Sequence, residues 1–262
     1  MAPDIDELTR WAGRPGSARH DLLAPLTEHL ARPVMPPPEI AQALGGLIKV
    51  LDEARLGLPL EPTRMLDLDF AATFNEDLGF DTPWFLNGDR TFLEVDALHM
   101  ICIRLGLVSP RRGLDRLTPL GERLAGRPDD LWRAVARALG ELPSPLGDVA
   151  ELILSAMLRQ AERDPEEALC LARSALIEAA GWHRAISPAD PDYVLDVVAV
   201  ASASLQTALR ALRLIEPWSD MPDGVLVLNE QGRATVTAAL KARVRTGRRA
   251  TELSRLTVGR WN

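Results

Sequence analysis

The chain has 262 residues, of which 47% are hydrophobic and 26% are charged, and its formal net charge is −7. This composition is typical of a soluble globular protein and argues against disorder over most of the length. The first eight residues are acidic and lack the apolar core of a signal peptide, and the longest apolar stretch, residues 197–203, is far too short to cross a bilayer, so we expect a cytoplasmic protein without a membrane contact.

The first 38 residues predict one helix and a linker. The helix covers residues 18–30, and it is followed by prolines at positions 33, 36, 37 and 38. Because proline cannot continue a helix, this run predicts a stop and a linker before the first large domain.

Residues 39–142 are predicted as the first helical domain. Residues 39–56 repeat apolar side chains at helical spacing and predict an amphipathic helix. An irregular or short extended piece is expected over residues 58–66, then a helix over 67–77 and a loop over 83–88. Thr91 is placed to cap the next helix, and Pro128 opens a further one.

Residues 143–262 are predicted as the second helical domain, because Pro143 and Pro145 interrupt the chain at its start. Helices are expected over residues 146–162, 165–181, 193–201, 204–214 and 233–245. From residue 241 onward, seven basic residues against one acidic residue give a formal charge of +6, so the first 240 residues carry −13. This basic tail predicts either contact with phosphates or docking on the protein's own acidic side chains.

A pattern that occurs twice connects these helices. In residues 105–124 and again in residues 212–234, a helix-like run ends in a short turn, a basic or loose loop and a second helix start. Thr118 and Asn229 lie 111 residues apart, and each precedes a glycine by three residues, where its side chain is placed to cap the second helix. Only two short strands and their turn fit between helix and cap, which is the outline of a winged helix. We therefore predict a mainly α fold with two winged-helix-like units, short β-hairpin wings that contain the strands, and additional flanking helices.

The second copy carries the side chains best suited to a nucleic-acid groove. In a winged helix that binds DNA, the helix before the wing lies in the major groove, and its outward residues hydrogen-bond to base edges or phosphates. With Leu205, Leu209 and Leu212 on the buried side, the candidate groove residues are Gln206, Thr207, Arg210 and Arg213. The candidate phosphate contacts in the basic tail are Arg243, Arg245, Arg248 and Arg249.

The first copy is a poorer candidate for DNA. Its helix is expected to expose Glu94, Asp96 and His99, and the carboxylates would be repelled by phosphates. Its wing carries three arginines that either touch a phosphate backbone or are merely solvated: Arg111, Arg112 and Arg116.

Residue patterns for catalysis, cofactors and metals are weak. His99 and Cys102 lie three residues apart, but two ligands without a nearby third fit a core cysteine beside a helix histidine better than a metal site. The acidic residues between positions 67 and 81 lack the glycine and the terminal glutamate of a calcium loop, so a solvated helix face explains them better. The sequence has no phosphate-binding loop, nucleophile elbow or paired zinc-binding cysteines. We expect a non-enzymatic protein with no cofactor and no metal.

Six short motifs are spaced over residues 51–139, at residues 57–66, 74–75, 87–91, 105–108, 117–121 and 130–132. This series resembles a helical, winged-helix-like region of actinobacterial proteins of the Ri-plasmid ORF-three-like family, and the likeness extends more loosely to the second wing. Glu61 and Arg64 stand where the family's first motif has Thr and Gly. The resemblance implies a bacterial cytoplasmic protein, supplies no catalytic residues, and does not choose between DNA and protein as the partner.

The expected function is that of an interaction module. We expect contact with a protein partner or self-association, through the apolar helix at residues 194–203 or through the N-terminal helices. The alternative is a DNA-binding transcriptional regulator that uses the second winged helix and the basic tail. In that alternative, the affinity for DNA falls steeply as the salt concentration rises.

Overall fold

The structure is a computed structural model that describes residues 3–80, 84–86, 89–142, 146–160, 165–179, 202–216 and 227–246. Over these residues the fold is mainly helical, as predicted, with one three-stranded and one two-stranded antiparallel sheet. Within the same ranges, every helix is too short or too polar to span a membrane.

Short connections join the elements along the chain. The first part contains α1 (Ile5–Ala12), α2 (Ala18–Leu23), a 3₁₀ turn (Ala24–Leu26), α3 (Thr27–Ala31), α4 (Ile40–Ala43), α5 (Gly45–Leu56), β1 (Leu58–Pro59), α6 (Leu68–Leu78), β2 (Trp84–Leu86) and β3 (Asp89–Thr91). The second part contains α7 (Leu93–Arg104), β4 (Val108–Arg111), β5 (Leu114–Leu117), α8 (Pro119–Ala125), α9 (Pro128–Gly140), α10 (Leu146–Arg159), α11 (Pro165–Ala179), α12 (202–211) and α13 (Glu230–Thr246).

The chain divides into two compact units, each of which joins segments that are distant in sequence. Unit 1 comprises Met1–Met35, Ala136–Leu205 and Ile215–Asn262, and unit 2 comprises Pro36–Val135 and Gln206–Leu214. This division differs from the contiguous domains 1–38, 39–142 and 143–262 expected from the prolines. Prolines mark where helices stop, whereas a compact unit depends on which helices pack together.

In unit 1, the N-terminal segment packs on helices that come much later in the chain. Helix α2 contacts both α10 and α11, and α10 contacts α13. The backbone N–H of Ala18, at the start of α2, donates to the Glu178 carboxylate of α11 at 3.0 Å. Helices α9 and α13 meet at a glycine, because a Cβ on Gly140 would lie 2.1 Å from the carbonyl oxygen of Ala239. The core of unit 1 therefore depends on contacts of long sequence separation.

The N-terminal residues contain more helix than predicted. Helix α1 was not expected, although Asp4 and Glu7 form a capping box at its start. The predicted helix over residues 18–30 is present as α2 and α3, with the 3₁₀ turn between them. Pro25 lies in that turn and lacks the N–H that a continuous α-helix would use, so the helix is interrupted there.

Unit 2 contains the three-stranded sheet, which has the order β1-β5-β4. The central strand β5 pairs with both neighbours: Asp115 pairs with Leu58 of β1, and Leu117 pairs with Val108 of β4. Helix α7 contacts α5, α6 and β4, and the chain continues from α7 into the hairpin β4–β5. The sheet thus fixes the position of the hairpin relative to α7.

Several predicted elements of unit 2 are confirmed. The helix expected over residues 39–56 is present as α4 and α5, with a break at Leu44, and the extended piece after it contains β1. Helix α6 begins where predicted, because the Asp67 side chain accepts hydrogen bonds from the N–H groups of Asp69 and Phe70.

Two predictions for unit 2 are wrong. The loop expected over residues 83–88 contains β2, which pairs with β3, so strands are not confined to the repeated hairpins. Trp-Phe-Leu at residues 84–86 favours a strand, a signal that the flanking proline and glycine obscured. Thr91 does not cap α7, because it lies in β3 and its hydroxyl donates to Oδ2 of Asp96 at 3.3 Å, while Phe92 occupies the N-cap position.

The first copy of the repeated pattern has the predicted hairpin and cap. Helix α7 ends with Gly106 in the left-handed region, at φ 66°, and the N–H of Leu107 donates to the carbonyl oxygen of Cys102 at 2.8 Å. After the hairpin, the Thr118 side chain accepts a hydrogen bond from the N–H of Gly121 at 3.0 Å and caps α8. The Thr118 prediction is confirmed.

The second copy repeats these local features. Arg213 follows α12 in the left-handed region at φ 51°, and the N–H of Leu214 donates to the carbonyl oxygen of Leu209 at 2.9 Å. Ile215 and Leu228 then form an antiparallel bridge, and the Asn229 side chain accepts a hydrogen bond from the N–H of Gly232 at 2.8 Å as α13 begins. The Asn229 prediction is confirmed as well, while residues 217–226, where the second wing is predicted, lie outside the described residues.

Gly121 leaves no room for a side chain, so we expect Gly121→Ala to destabilise unit 2 by about 1–3 kcal/mol. A Cβ at this position would lie 2.2 Å from the carbonyl oxygen of Leu107 and 2.7 Å from Cδ1 of Leu117. The measurement is the urea concentration at the midpoint of unfolding. Gly126→Ala is the matched control, since Gly126 has φ −93° and a Cβ there would meet nothing within 4 Å. Equal midpoints for the two variants would contradict the close approach at Gly121.

Candidate functional site

Helix α7 presents one buried side and one outward side. Val95, Leu98, His99 and Cys102 are all buried at 1% exposure or less. At about 100° per residue, six other residues share the opposite side of the helix. We call them the α7 face: Leu93, Asp96, Ala97, Met100, Ile103 and Arg104.

The α7 face is mainly apolar and open to solvent at its centre. Met100 is 52% exposed and Ile103 is 38% exposed, and they lie one helical turn apart on the same side. Asp96, in the first turn of α7, is half-buried, and Arg104, the last residue of the helix, is exposed. A contiguous exposed apolar patch of this kind is a candidate contact surface for another protein.

The prediction that α7 exposes Glu94 and His99 is wrong. Glu94 is buried, and its Oε1 lies 4.0 Å from Nη1 of Arg210. His99 is buried on the side of the helix that faces the sheet, where its Nε2 lies 2.6 Å from Oδ2 of Asp115. Both polar side chains turn inward because each has a partner of suitable chemistry inside the unit.

The His99–Asp115 pair links α7 to the sheet. Asp115 is 1% exposed and lies in the central strand β5, between β1 and β4. The pair therefore ties the hairpin to the helix that carries the α7 face. Cys102 lies nearby, and burial raises the pKa of its thiol, with a further increase from the Asp115 charge. A thiol that resists ionisation is a poor nucleophile, so Cys102 acts as a core residue here.

The hairpin tip carries positive charge. Arg112 and Gly113 form its two-residue turn, with φ values of 55° and 78°. Three arginine side chains around this turn are exposed, as the sequence suggested: Arg111, Arg112 and Arg116.

The structure places the four candidate groove residues of the second copy within unit 2. Gln206, Thr207 and Arg210 are half-buried, and the Arg210 guanidinium approaches Glu94 as described above. Arg213 is exposed, but its Nη2 donates to the carbonyl oxygen of Leu78, at the end of α6, at 2.7 Å. The prediction of exposure is therefore confirmed for Arg213 and wrong for Gln206, Thr207 and Arg210, which are only partly exposed.

Among the candidate phosphate contacts, Arg243 is misassigned. It is 1% exposed, and its guanidinium binds the Asp148 carboxylate and, through Nε, Oε2 of Glu151 at 2.9 Å. Arg19 also pairs with Glu151, so two arginines and two carboxylates form a buried cluster in unit 1. Docking on the protein's own acidic side chains, the alternative use of the basic tail, therefore holds for Arg243.

The remaining basic residues of this segment differ in their surroundings. Lys241 is buried, and its Nζ donates to the carbonyl oxygen of Arg32, while burial and the nearby Arg245 lower the pKa of its amine. Arg245 is exposed at the end of α13. Arg248, Arg249, Arg255 and Arg260 lie outside the described residues.

Comparisons of the chain with protein-family models, with curated proteins and with solved structures found no match. The resemblance to the Ri-plasmid ORF-three-like family therefore stays a prediction. Over the described part of the chain, no three His, Cys, Asp or Glu residues are grouped so that they could hold a metal ion. The α7 face, where Met100 and Ile103 are exposed, is a candidate interaction site of unit 2.

Proposed function

We propose that unit 2 is a winged-helix-type module that binds a protein partner through the α7 face. The order of elements supports this proposal: helix α5, strand β1, helices α6 and α7, and then the hairpin β4–β5. The sheet order β1-β5-β4 supports it further, since it places the hairpin beside the first strand of the same unit.

The apolar character of the α7 face favours a protein over DNA as its partner. This is the helix that would enter a DNA groove, where side chains must donate to or accept from base edges. Arg104 is the only donor side chain among the six residues of the face, and the Asp96 carboxylate would be repelled by phosphates. The exposed Met100 and Ile103 gain instead from contact with another apolar surface, at roughly 25 cal/mol per Å² removed from water.

Binding of DNA is the second candidate function, and the exposed arginines of the hairpin tip favour it. Arg111, Arg112 and Arg116 would neutralise phosphates, and each neutralised phosphate would add about −0.9 to the slope of log affinity against log salt. The version of this hypothesis that uses Arg210, Arg213 and Arg243 loses support, because these side chains are engaged within the protein.

Site-specific photo-crosslinking of the full chain tests the proposed function. We expect a photoreactive residue at position 100 to form a crosslink to a protein upon irradiation of the cells that produce the chain. The matched control is position 56, because Leu56 is also apolar and is 80% exposed in the same unit. Crosslinks at position 100 but not at position 56 would support the α7 face as the binding surface. Equal crosslinking at both positions, or none at position 100, would refute it.

A mobility-shift assay with a duplex at low salt decides the DNA alternative. We expect the wild-type chain to leave the duplex unshifted, since the α7 face lacks base-reading side chains. A shift that disappears in an Arg111→Gln/Arg112→Gln variant would support contact through the hairpin tip instead. Together with the absence of a protein crosslink at position 100, that result would replace the proposed function with DNA binding.

A further inference from the structure

We infer that the partner of the α7 face is a second copy of this chain, with the two α7 helices packed antiparallel about a two-fold axis at Met100. The inference rests on the proposed function and names the partner of the same surface. It depends on the spacing of charged and apolar residues along α7 and on the surroundings of Asp96 and Arg104.

The charges of the face match under this symmetry. Asp96 and Arg104 lie four residues on either side of Met100, or about 6 Å in each direction along the axis. A two-fold axis at Met100 places each Asp96 opposite Arg104 of the other copy, and it does so twice in the dimer. A parallel arrangement would instead place like charges opposite each other, Asp96 on Asp96 and Arg104 on Arg104, which is repulsive.

The apolar residues also match in size. Ala97 and Ile103 lie three residues on either side of Met100, so the same axis places the small Ala97 opposite the large Ile103 of the second copy. Met100 meets its own equivalent at the centre, where a flexible thioether side chain adapts well to a symmetric contact. Pairing of a small residue with a large one allows two helices to interdigitate.

Asp96 and Arg104 are both partly desolvated, so an opposite charge next to either side chain would stabilise its ionised form. No ion pair between described residues includes either of them, and the one hydrogen bond described for the Asp96 carboxylate comes from Thr91. Partial burial raises the pKa of Asp96, and partial burial lowers the pKa of Arg104, so the charged form of each is disfavoured by desolvation. A guanidinium placed opposite the carboxylate would offset both penalties.

Sedimentation equilibrium of the full chain tests the dimer. A contact between single helices buries less than about 1,200 Å² in total, which is typical of weak complexes. The measurement therefore has to extend to high protein concentration. We expect a monomer–dimer equilibrium whose Kd rises at least about tenfold in Asp96→Lys and in Arg104→Glu, because each change creates two like-charge contacts per dimer.

Mixing the two variants is the decisive step. In a heterodimer of Asp96→Lys with Arg104→Glu, both contacts are attractive again, so we expect the equimolar mixture to associate more tightly than either variant alone. The matched controls are Glu76→Lys and Arg123→Glu, which make the same charge changes at exposed sites of unit 2 away from the face. These controls are expected to leave the Kd unchanged.

The outcomes separate this inference from the proposed function. A dimer that is insensitive to both charge changes, or variants that fail to rescue each other, would overturn the antiparallel arrangement. A chain that stays monomeric while position 100 crosslinks to a different protein would overturn the self-association and leave the proposed function standing. If the chain is a monomer and position 100 forms no crosslink, both the self-association and the proposed function are refuted.

Discussion

The Arg243→Met variant is expected to lower the free energy of unfolding by about 3–5 kcal/mol, as measured by urea unfolding followed by circular dichroism. The substitution removes the guanidinium that binds both Asp148 and Glu151 in the buried cluster, in which Arg19 contacts Glu151 alone. An uncompensated charge away from water is among the most costly changes that a single substitution can make.

Arg245→Met is the matched control for this experiment. It makes the same chemical change two residues further along α13, at a side chain that is exposed. We expect its free energy of unfolding to stay within about 0.5 kcal/mol of wild type. If the two variants unfolded at the same urea concentration, the buried cluster would not stabilise unit 1. The comparison also prevents a loss of DNA affinity in Arg243→Met from being mistaken for the loss of a phosphate contact.

The second large effect is expected at the His99–Asp115 pair, where His99→Leu is expected to cost about 3 kcal/mol. The change removes the group that binds Oδ2 of Asp115 and leaves that carboxylate buried in the central strand of the sheet. Oδ1 of Asp115 has no hydrogen-bond partner among the described residues, so His99 accounts for the described stabilisation of this side chain.

A double-mutant cycle separates the pair from its surroundings. We expect His99→Leu/Asp115→Val to be more stable than His99→Leu alone, because two apolar side chains can replace a buried polar pair at little cost. Arg116→Val, at the exposed neighbour of Asp115 on β5, serves as the control for strand propensity. A double variant whose loss of stability equals the sum of the two single losses would show that the two side chains act independently.

Features that depend on neighbours in sequence were predictable. The caps at Thr118 and Asn229 involve N–H groups three residues away, so the spacing to Gly121 and Gly232 was enough to locate both helix starts. The stop after residue 30 and the start of α6 at Asp67 are local in the same sense. The capping box of Asp4 and Glu7 is an equally local signal, and it indicates the start of α1.

Features that depend on distant residues were not predictable from spacing. The partners of Arg243 lie 92 and 95 residues earlier in the chain, and nothing in the periodicity of α13 indicates them. His99 and Asp115 are 16 residues apart on different kinds of element, so helical spacing alone left His99 on the wrong side of α7. The apolar α7 face was missed for the same reason, since assigning Glu94 and His99 to the surface hid the exposure of Met100 and Ile103.

The ion cluster that joins α2, α10 and α13 also constrains the order in which the protein is made. Arg19 pairs with Glu151, 132 residues later in the chain, and the cluster is complete only once Arg243, a further 92 residues on, contacts Glu151. The main stretch of unit 2, residues 36–135, has by then left the ribosome and can form its hairpin and helices from contacts of shorter range. The buried cluster of unit 1 can therefore be completed only after residue 243 has emerged from the ribosome, later than the main stretch of unit 2.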